Sequence, residues 1–157
     1  MMSRVQKGMV AGFAATVVVS VLEAVNLLVG PWFTPFPSLI AFMLGMEGNL
    51  AVGWIAHLVM GTVVLGGLFG VLCPRLPTDT PGTKGILFSV GAFVVMITGV
   101  LLFGNEAIFR GTDGFGTIAW VLITHMVFGF VLGSVYGTLV AREKRMAREM
   151  SGVAPAH

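Results

Sequence analysis

Three side chains in an otherwise apolar chain have the types that could do chemistry: His57, His125 and Glu23. Imidazole ligates haem iron or zinc and can carry protons near neutral pH. A carboxylate inside an apolar run is costly, so it calls for an internal partner. The two histidines recur in matching surroundings. His57-Leu-Val-Met-Gly61 parallels His125-Met-Val-Phe-Gly129. Val64-Leu-Gly-Gly-Leu-Phe-Gly70 parallels Val131-Leu-Gly-Ser-Val-Tyr-Gly137, with one residue fewer between the two blocks in the second stretch. Three kinds of site follow. His57 and His125 could hold a b-type haem, with Gly61 and Gly129 one turn away making room for the porphyrin. With Glu23 they could bind zinc or iron, although no HxxxH or ExxH pair supports a metal. Alternatively, Glu23 and the histidines could relay protons or bind a small polar ligand, with Asn26 as a further polar partner. No nucleophile–base pair, phosphate loop or zinc-protease motif is present, which points away from an enzyme.

The elements that must position these residues follow from composition. Of 157 residues, 56% are hydrophobic and only 10% charged, with mean hydropathy +0.95. Soluble domains carry about 25% charged residues, so the chain reads as an all-α integral membrane protein. Four apolar runs are long enough to span a bilayer: Gly8–Val29, Leu50–Leu72, Gly85–Phe103 and Thr117–Val140. They form one domain over residues 1–141, followed by a basic tail over 142–157 that extends the fourth helix before a disordered end from Gly152. The first run follows Arg4 and Lys7 like a signal peptide, but it is too long for a signal core and is read as a retained helix. The single Cys73 excludes an intramolecular disulfide and a cysteine-cage metal site, and is read as a small buried residue. No basic aromatic surface exists for nucleic acid.

Orientation comes from the basic residues. Eight of the nine Lys and Arg side chains lie on one side, and only Arg110 lies on the other. The positive-inside rule makes that side, and both termini, cytoplasmic. Each half, about 7–73 and 84–141, is then a two-helix hairpin entered by Lys-Gly, Lys7-Gly8 in one and Lys84-Gly85 in the other. Tandem hairpins of equal orientation make a parallel repeat, with its pseudo-twofold axis along the membrane normal. Both imidazoles then lie roughly 12 Å below the outer end of their helices, level with Glu23. On the outer side, Trp32, Phe33 and Phe36 suit the headgroup level, and Ser38 to Met46 reads as a short interfacial helix capped by Ser38. The second outer loop, Gly104 to Gly116, carries Asn105, Glu106, Arg110 and Asp113.

Glycines supply the packing signal. Gly8/Gly12, Gly66/Gly70 and Gly129/Gly133/Gly137 are each spaced by four, which lines one helix face and lets backbones approach. This serves internal packing, or an interface with a second copy or another membrane subunit. Nine residues separate His57 from Gly66, about 180° on a regular helix. The second span should therefore have two close-packing faces, one with Gly53, His57 and Gly61 and the other with Gly66 and Gly70. On the first span Gly12, Thr16, Ser20, Glu23 and Asn26 share a polar face.

Three motifs carry a resemblance: Lys7-Gly8-Met-Val-Ala-Gly12, Gly53-Trp-Ile-Ala-His57-x3-Gly61, and His125-x3-Gly129-x3-Gly133-x2-Tyr136-Gly137. Over roughly Gln6 to Val140 the chain resembles a family of small bacterial and archaeal four-helix membrane proteins of unknown function. That resemblance implies the fold and a location in the bacterial cytoplasmic membrane, but no activity. The reading that results is a small polytopic membrane protein in the lipid bilayer, non-enzymatic, oligomeric or accessory to a larger complex, with a polar His/Glu site in its outer half. A haem b or metal protein and a proton-relay or small-ligand transport module are the alternatives.

Overall fold

The structure, a computed structural model, describes residues 2–30, 33–103 and 114–152. Among them every regular element is helical: α1 (Arg4–Val29), α2 (Phe36–Met43), α3 (Leu50–Arg75), α4 (Pro81–Phe103) and α5 (Gly114–Met150). All but α2 are long and apolar enough to cross a membrane, as in a multi-pass membrane protein. Their outer faces agree, with Phe13, Leu28, Val95 and Leu102 all more than half exposed. A soluble monomer rarely leaves so much contiguous apolar surface bare. The Gly104–Gly116 loop lies almost wholly outside the described residues, as do Trp32 and the chain end past Gly152.

Local signals move the helix starts outward from the apolar runs. Ser3 and Gln6 form a capping box on α1: the Ser3 hydroxyl accepts from the Gln6 N–H at 3.1 Å, and the Gln6 side chain accepts from the Ser3 N–H at 2.8 Å. Thr80 caps α4 singly, accepting from the Thr83 N–H at 3.2 Å, with Pro81 at the first helical position. The α5 helix runs ten residues past Val140, because Arg142–Met150 holds only good helix formers. Ser38 is not a cap: α2 begins at Phe36 behind Pro35.

α1 packs along both α3 and α5, and α4 packs along α5. α3 and α4 meet through Phe69 and Phe88, whose ring centroids are 5.4 Å apart. The four spans thus form a ring in which α3 and α5 face each other across the bundle. Glycine contacts run within the pairs α1/α3 and α4/α5. A methyl added at Gly12 would lie 2.7 Å from the Gly61 carbonyl oxygen and 2.8 Å from Gly66 Cα. One added at Gly8 would strike the Gly66 carbonyl. In the other pair, a methyl at Gly85 would strike the Gly129 carbonyl, and one at Gly129 would lie 2.7 Å from Ser89 Cβ. Gly133 and Gly137 both face Pro81. Ala11, Ala15, Phe69, Phe88, Phe128, Leu132 and Tyr136 fill the half of the bundle nearer the basic residues.

The expected division of the α3 glycines is corrected: Gly53 alone faces α2, at Pro37, and Gly61 sides with the other pair. Gly61, Gly66 and Gly70 all face α1, against Thr16, Gly8 and Arg4 respectively. The reason is local: α3 is α-helical over Leu50–Val59, widens to a π-helix over Met60–Leu65, and is α-helical again over Gly66–Leu72. A π-bulge takes up one extra residue in an α-helix. It falls where the Trp54–Gly70 stretch has one residue more than Trp120–Gly137. Nine residues therefore turn as eight would, about 80° instead of 180°, which brings Gly61 to the side of Gly66 and Gly70.

Candidate functional site: a polar cluster beneath α2

The polar residues of α1 do gather with the histidines at one end of the bundle, but their partners differ from those anticipated. Glu23 and Asn26, one turn apart, are each 2% exposed. Glu23 accepts three N–H groups: the Asn26 side-chain amide at 3.1 Å and the Phe36 backbone at 3.2 Å on Oε1, and the Trp120 indole at 3.2 Å on Oε2. Asn26 in turn donates to the Phe33 carbonyl at 3.2 Å and accepts from the Phe33 N–H at 3.4 Å. Thr117 of α5 accepts from the Thr34 N–H at 3.2 Å. Phe33 stacks on Trp120, with centroids 5.3 Å apart and rings 17° from parallel. Together α1 and α5 strap down the segment Phe33–Phe36, whose backbone groups would otherwise go unpaired in an apolar medium.

The strap aims α2 into the bundle rather than along its surface. Pro37, Leu39 and Ala41 are buried, and the Pro37 carbonyl lies against Gly53. The Phe36 ring stands edge-on to both histidines, 5.2 Å from His57 and 6.0 Å from His125. Phe36 is therefore an internal wedge between the two imidazoles, not a headgroup anchor. Phe93 flanks His125 at 5.5 Å and Trp54 flanks His57 at 6.0 Å.

The histidines are not equivalent. His125 is 8% exposed, and its Nδ1–H donates to the Val121 carbonyl at 2.7 Å. In the neutral ring this fixes the tautomer and leaves the lone pair on Nε2. Its backbone carbonyl accepts the Ser89 hydroxyl at 2.6 Å, which ties α4 to α5 at that level. His57 is 7% exposed, and its Nε2 has no hydrogen-bond partner. The Ser20 hydroxyl is likewise buried and unpaired. Thr16 meets Gly61 across the α1/α3 contact. Ser20 and His57 each lie one turn beyond that contact toward α2, so they share a level on facing helices.

This arrangement limits the chemistry. A porphyrin between His57 and His125 does not fit, because Phe36 fills that space. The cavity beside Phe36, lined by Leu39, Met96 and Val121 among others, measures about 20 Å³. The proposed metal set of His57, His125 and Glu23 is not assembled: among the described residues no three His, Cys, Asp or Glu side chains converge. Glu23 bonds to neither histidine and instead holds the strap. Trp120 and Phe36 are the residues that sequence reasoning missed. The signal for Trp120 was present, since an indole N–H inside an apolar helix needs an acceptor and Glu23 was the buried acceptor available. Phe36 gave no such signal, because its role depends on where the strap sends it.

The glycines Gly61, Gly129, Gly133 and Gly137 all contact neighbouring helices of the same chain. Among the glycines of the spans, Gly91 and Gly99 of α4 instead meet no atom within 4 Å. No curated protein and no solved structure matches the chain. The model of DUF6789, a family of unknown function, matches residues 2–147, and the chain belongs to that family.

Proposed function

We propose that this is a small polytopic membrane protein that acts by binding rather than catalysis, as a homo-oligomer or an accessory subunit of a larger membrane complex. In this reading it consists of two tandem hairpins with both termini cytoplasmic, in the cytoplasmic membrane of a bacterium. It holds a small hydrogen-bonding ligand, or a bound water that a partner displaces, at His57 in the outer half. The observation that carries the binding reading is the unpaired His57 Nε2. A buried donor or acceptor left without a partner costs about 1–3 kcal/mol. The buried polar groups Glu23, Asn26, Thr117 and Ser89 are by contrast all paired. The Ser20 hydroxyl is a second unpaired group at the same level. A proton relay between the two imidazoles gains no support, because Phe36 separates them.

For the oligomer, the α4 face with Gly91, Val95 and Gly99 offers small residues in open space at helical spacing, whereas the α5 glycines are used internally.

His57→Phe tests the site. It keeps a flat ring edge-on to Phe36 and removes the nitrogens. Native mass spectrometry should show a small adduct on the wild type that the variant lacks. A wild type without adduct, together with a variant that is more stable and keeps its assembly state, would sink the binding reading. Gly91→Cys in a Cys73→Ser background tests the assembly, and recovery of uncrosslinked monomer alone from membranes would count against an α4 interface.

A further inference from the structure

A second feature lies at the opposite, basic end and is independent of the His57 reading. Between the start of α1 and the tail of α5 runs a groove of about 800 Å³. That is within the range of about 300–1,000 Å³ typical of small-molecule sites. Its walls are apolar and unusually rich in thioethers: Met9 and Val10 on α1, Leu139, Met146 and Met150 on α5, and Met2 before α1. Flexible methionines repack around irregular apolar shapes. Lys7 and Glu143 also line it, but they form an ion pair with each other across the two helices. Glu143 further accepts from the Met2 N–H at 2.9 Å. Arg142 lines the rim, is exposed, and among the described residues makes no ion pair. Arg145, by contrast, pairs with Glu149 at 3.6 Å.

The groove therefore has an apolar floor, one internally neutralised pair and an uncompensated guanidinium at its edge. It sits where the apolar run ending at Val140 gives way to the charged tail, which is headgroup level. It is also continuous with the exposed face of α1 made by Val10, Phe13 and Val17 at helical spacing. A lipid chain from the adjoining leaflet can thus enter sideways, with its head beside Arg142. We propose that this groove is a binding site for an anionic phospholipid of the leaflet at the basic end. The acyl chain lies along the methionines, and the phosphate accepts from Arg142, which can bind two of its oxygens at once.

The test uses the full chain reconstituted in nanodiscs of mixed phosphatidylglycerol and phosphatidylcholine. After mild detergent release, the retained lipids are counted by native mass spectrometry. Phosphatidylglycerol should be retained in preference to phosphatidylcholine. Arg142→Gln should lower that preference about fivefold, the effect of one basic residue at a membrane surface. Arg148→Gln, on the same tail but away from the groove, should leave it unchanged. Met146→Trp, which fills the groove, should reduce retention of both lipids while the thermal unfolding midpoint holds. The proposal is overturned by a wild type without headgroup preference, by equal loss in Arg148→Gln, or by displacement of the lipid with millimolar inorganic phosphate. A copurified polypeptide in the groove would overturn it equally.

Discussion

Glu23 is the residue whose role changed most between sequence and structure, and its new role can be measured. Its two oxygens accept three N–H groups, from Asn26, Phe36 and Trp120, and it is 2% exposed. Glu23→Ala removes the acceptor of the part-buried Phe36 and Trp120 N–H groups and leaves Asn26 only its bond to the Phe33 carbonyl. At the low end of about 1–3 kcal/mol per orphaned group, the loss is about 2 kcal/mol. Glu23→Gln is more discriminating. Its remaining oxygen can serve Asn26 and Phe36, but its NH2 then faces the Trp120 indole N–H, donor against donor. That should cost about 1–3 kcal/mol. Trp120→Phe removes the same bond from the other side. The double variant loses the bond only once, so it should be less destabilised than the sum of the singles, with a coupling of about 1.5 kcal/mol, inside the range measured for contacting pairs. Unfolding by SDS titration in mixed micelles, followed by helicity, gives all four corners of the cycle. A coupling within about 0.3 kcal/mol of zero would refute the Glu23–Trp120 bond. The cycle of Glu23→Gln with His57→Phe serves as the control. A strong coupling there would restore the carboxylate–imidazole pairing suggested by depth alone.

Three further perturbations probe the scaffold. Deleting Val63, an exposed residue inside the π-helical turn, should regularise α3 while keeping His57 and Gly66 in phase, so the unfolding midpoint should change little. Deleting Phe130 from the regular α5 should instead rotate Gly133 off Pro81 and abolish folding, as judged by monodispersity in detergent. Gly85→Ala puts a methyl into the Gly129 carbonyl and should cost about 1–3 kcal/mol as an overpacked contact. Gly99→Ala, in open space on α4, should be neutral or stabilising by up to about 1 kcal/mol through helix propensity. A loss of oligomer in Gly99→Ala without loss of helicity would mark that face as an interface. Finally, Lys7→Glu and Glu143→Lys should each lower the unfolding midpoint by breaking the α1–α5 ion pair, and the double reversal should recover it. No recovery would mean that the pair contributes nothing specific.

How much was legible depended on whether a residue's partner was close in sequence or fixed by tertiary placement. The spans were readable because hydropathy is a property of the run itself. Their true starts were readable too, in Ser3-x-x-Gln6 and in Thr80-Pro81, although these caps lie several residues outside the apolar runs. Of the Glu23 partners, the Trp120 indole was legible as a donor in need of an acceptor, whereas the Phe36 N–H was not, because its position depends on the strap. Depth in the bilayer was a weak guide: it put Glu23 level with the histidines but could not say which way each side chain turned. The π-bulge shows the limit most sharply. A fixed 100° per residue places Gly66 half a turn from His57, and from that a second interface was inferred. Comparing the two glycine–histidine stretches held the remedy, since the longer one carries a single extra residue between blocks that otherwise match. An insertion of one residue between two constrained faces leaves two outcomes, a rotated face or a widened turn. The same helix α1 meets Gly61 through Thr16 and Gly66 through Gly8, so a rotated face would have broken one of these contacts, and the turn widened instead.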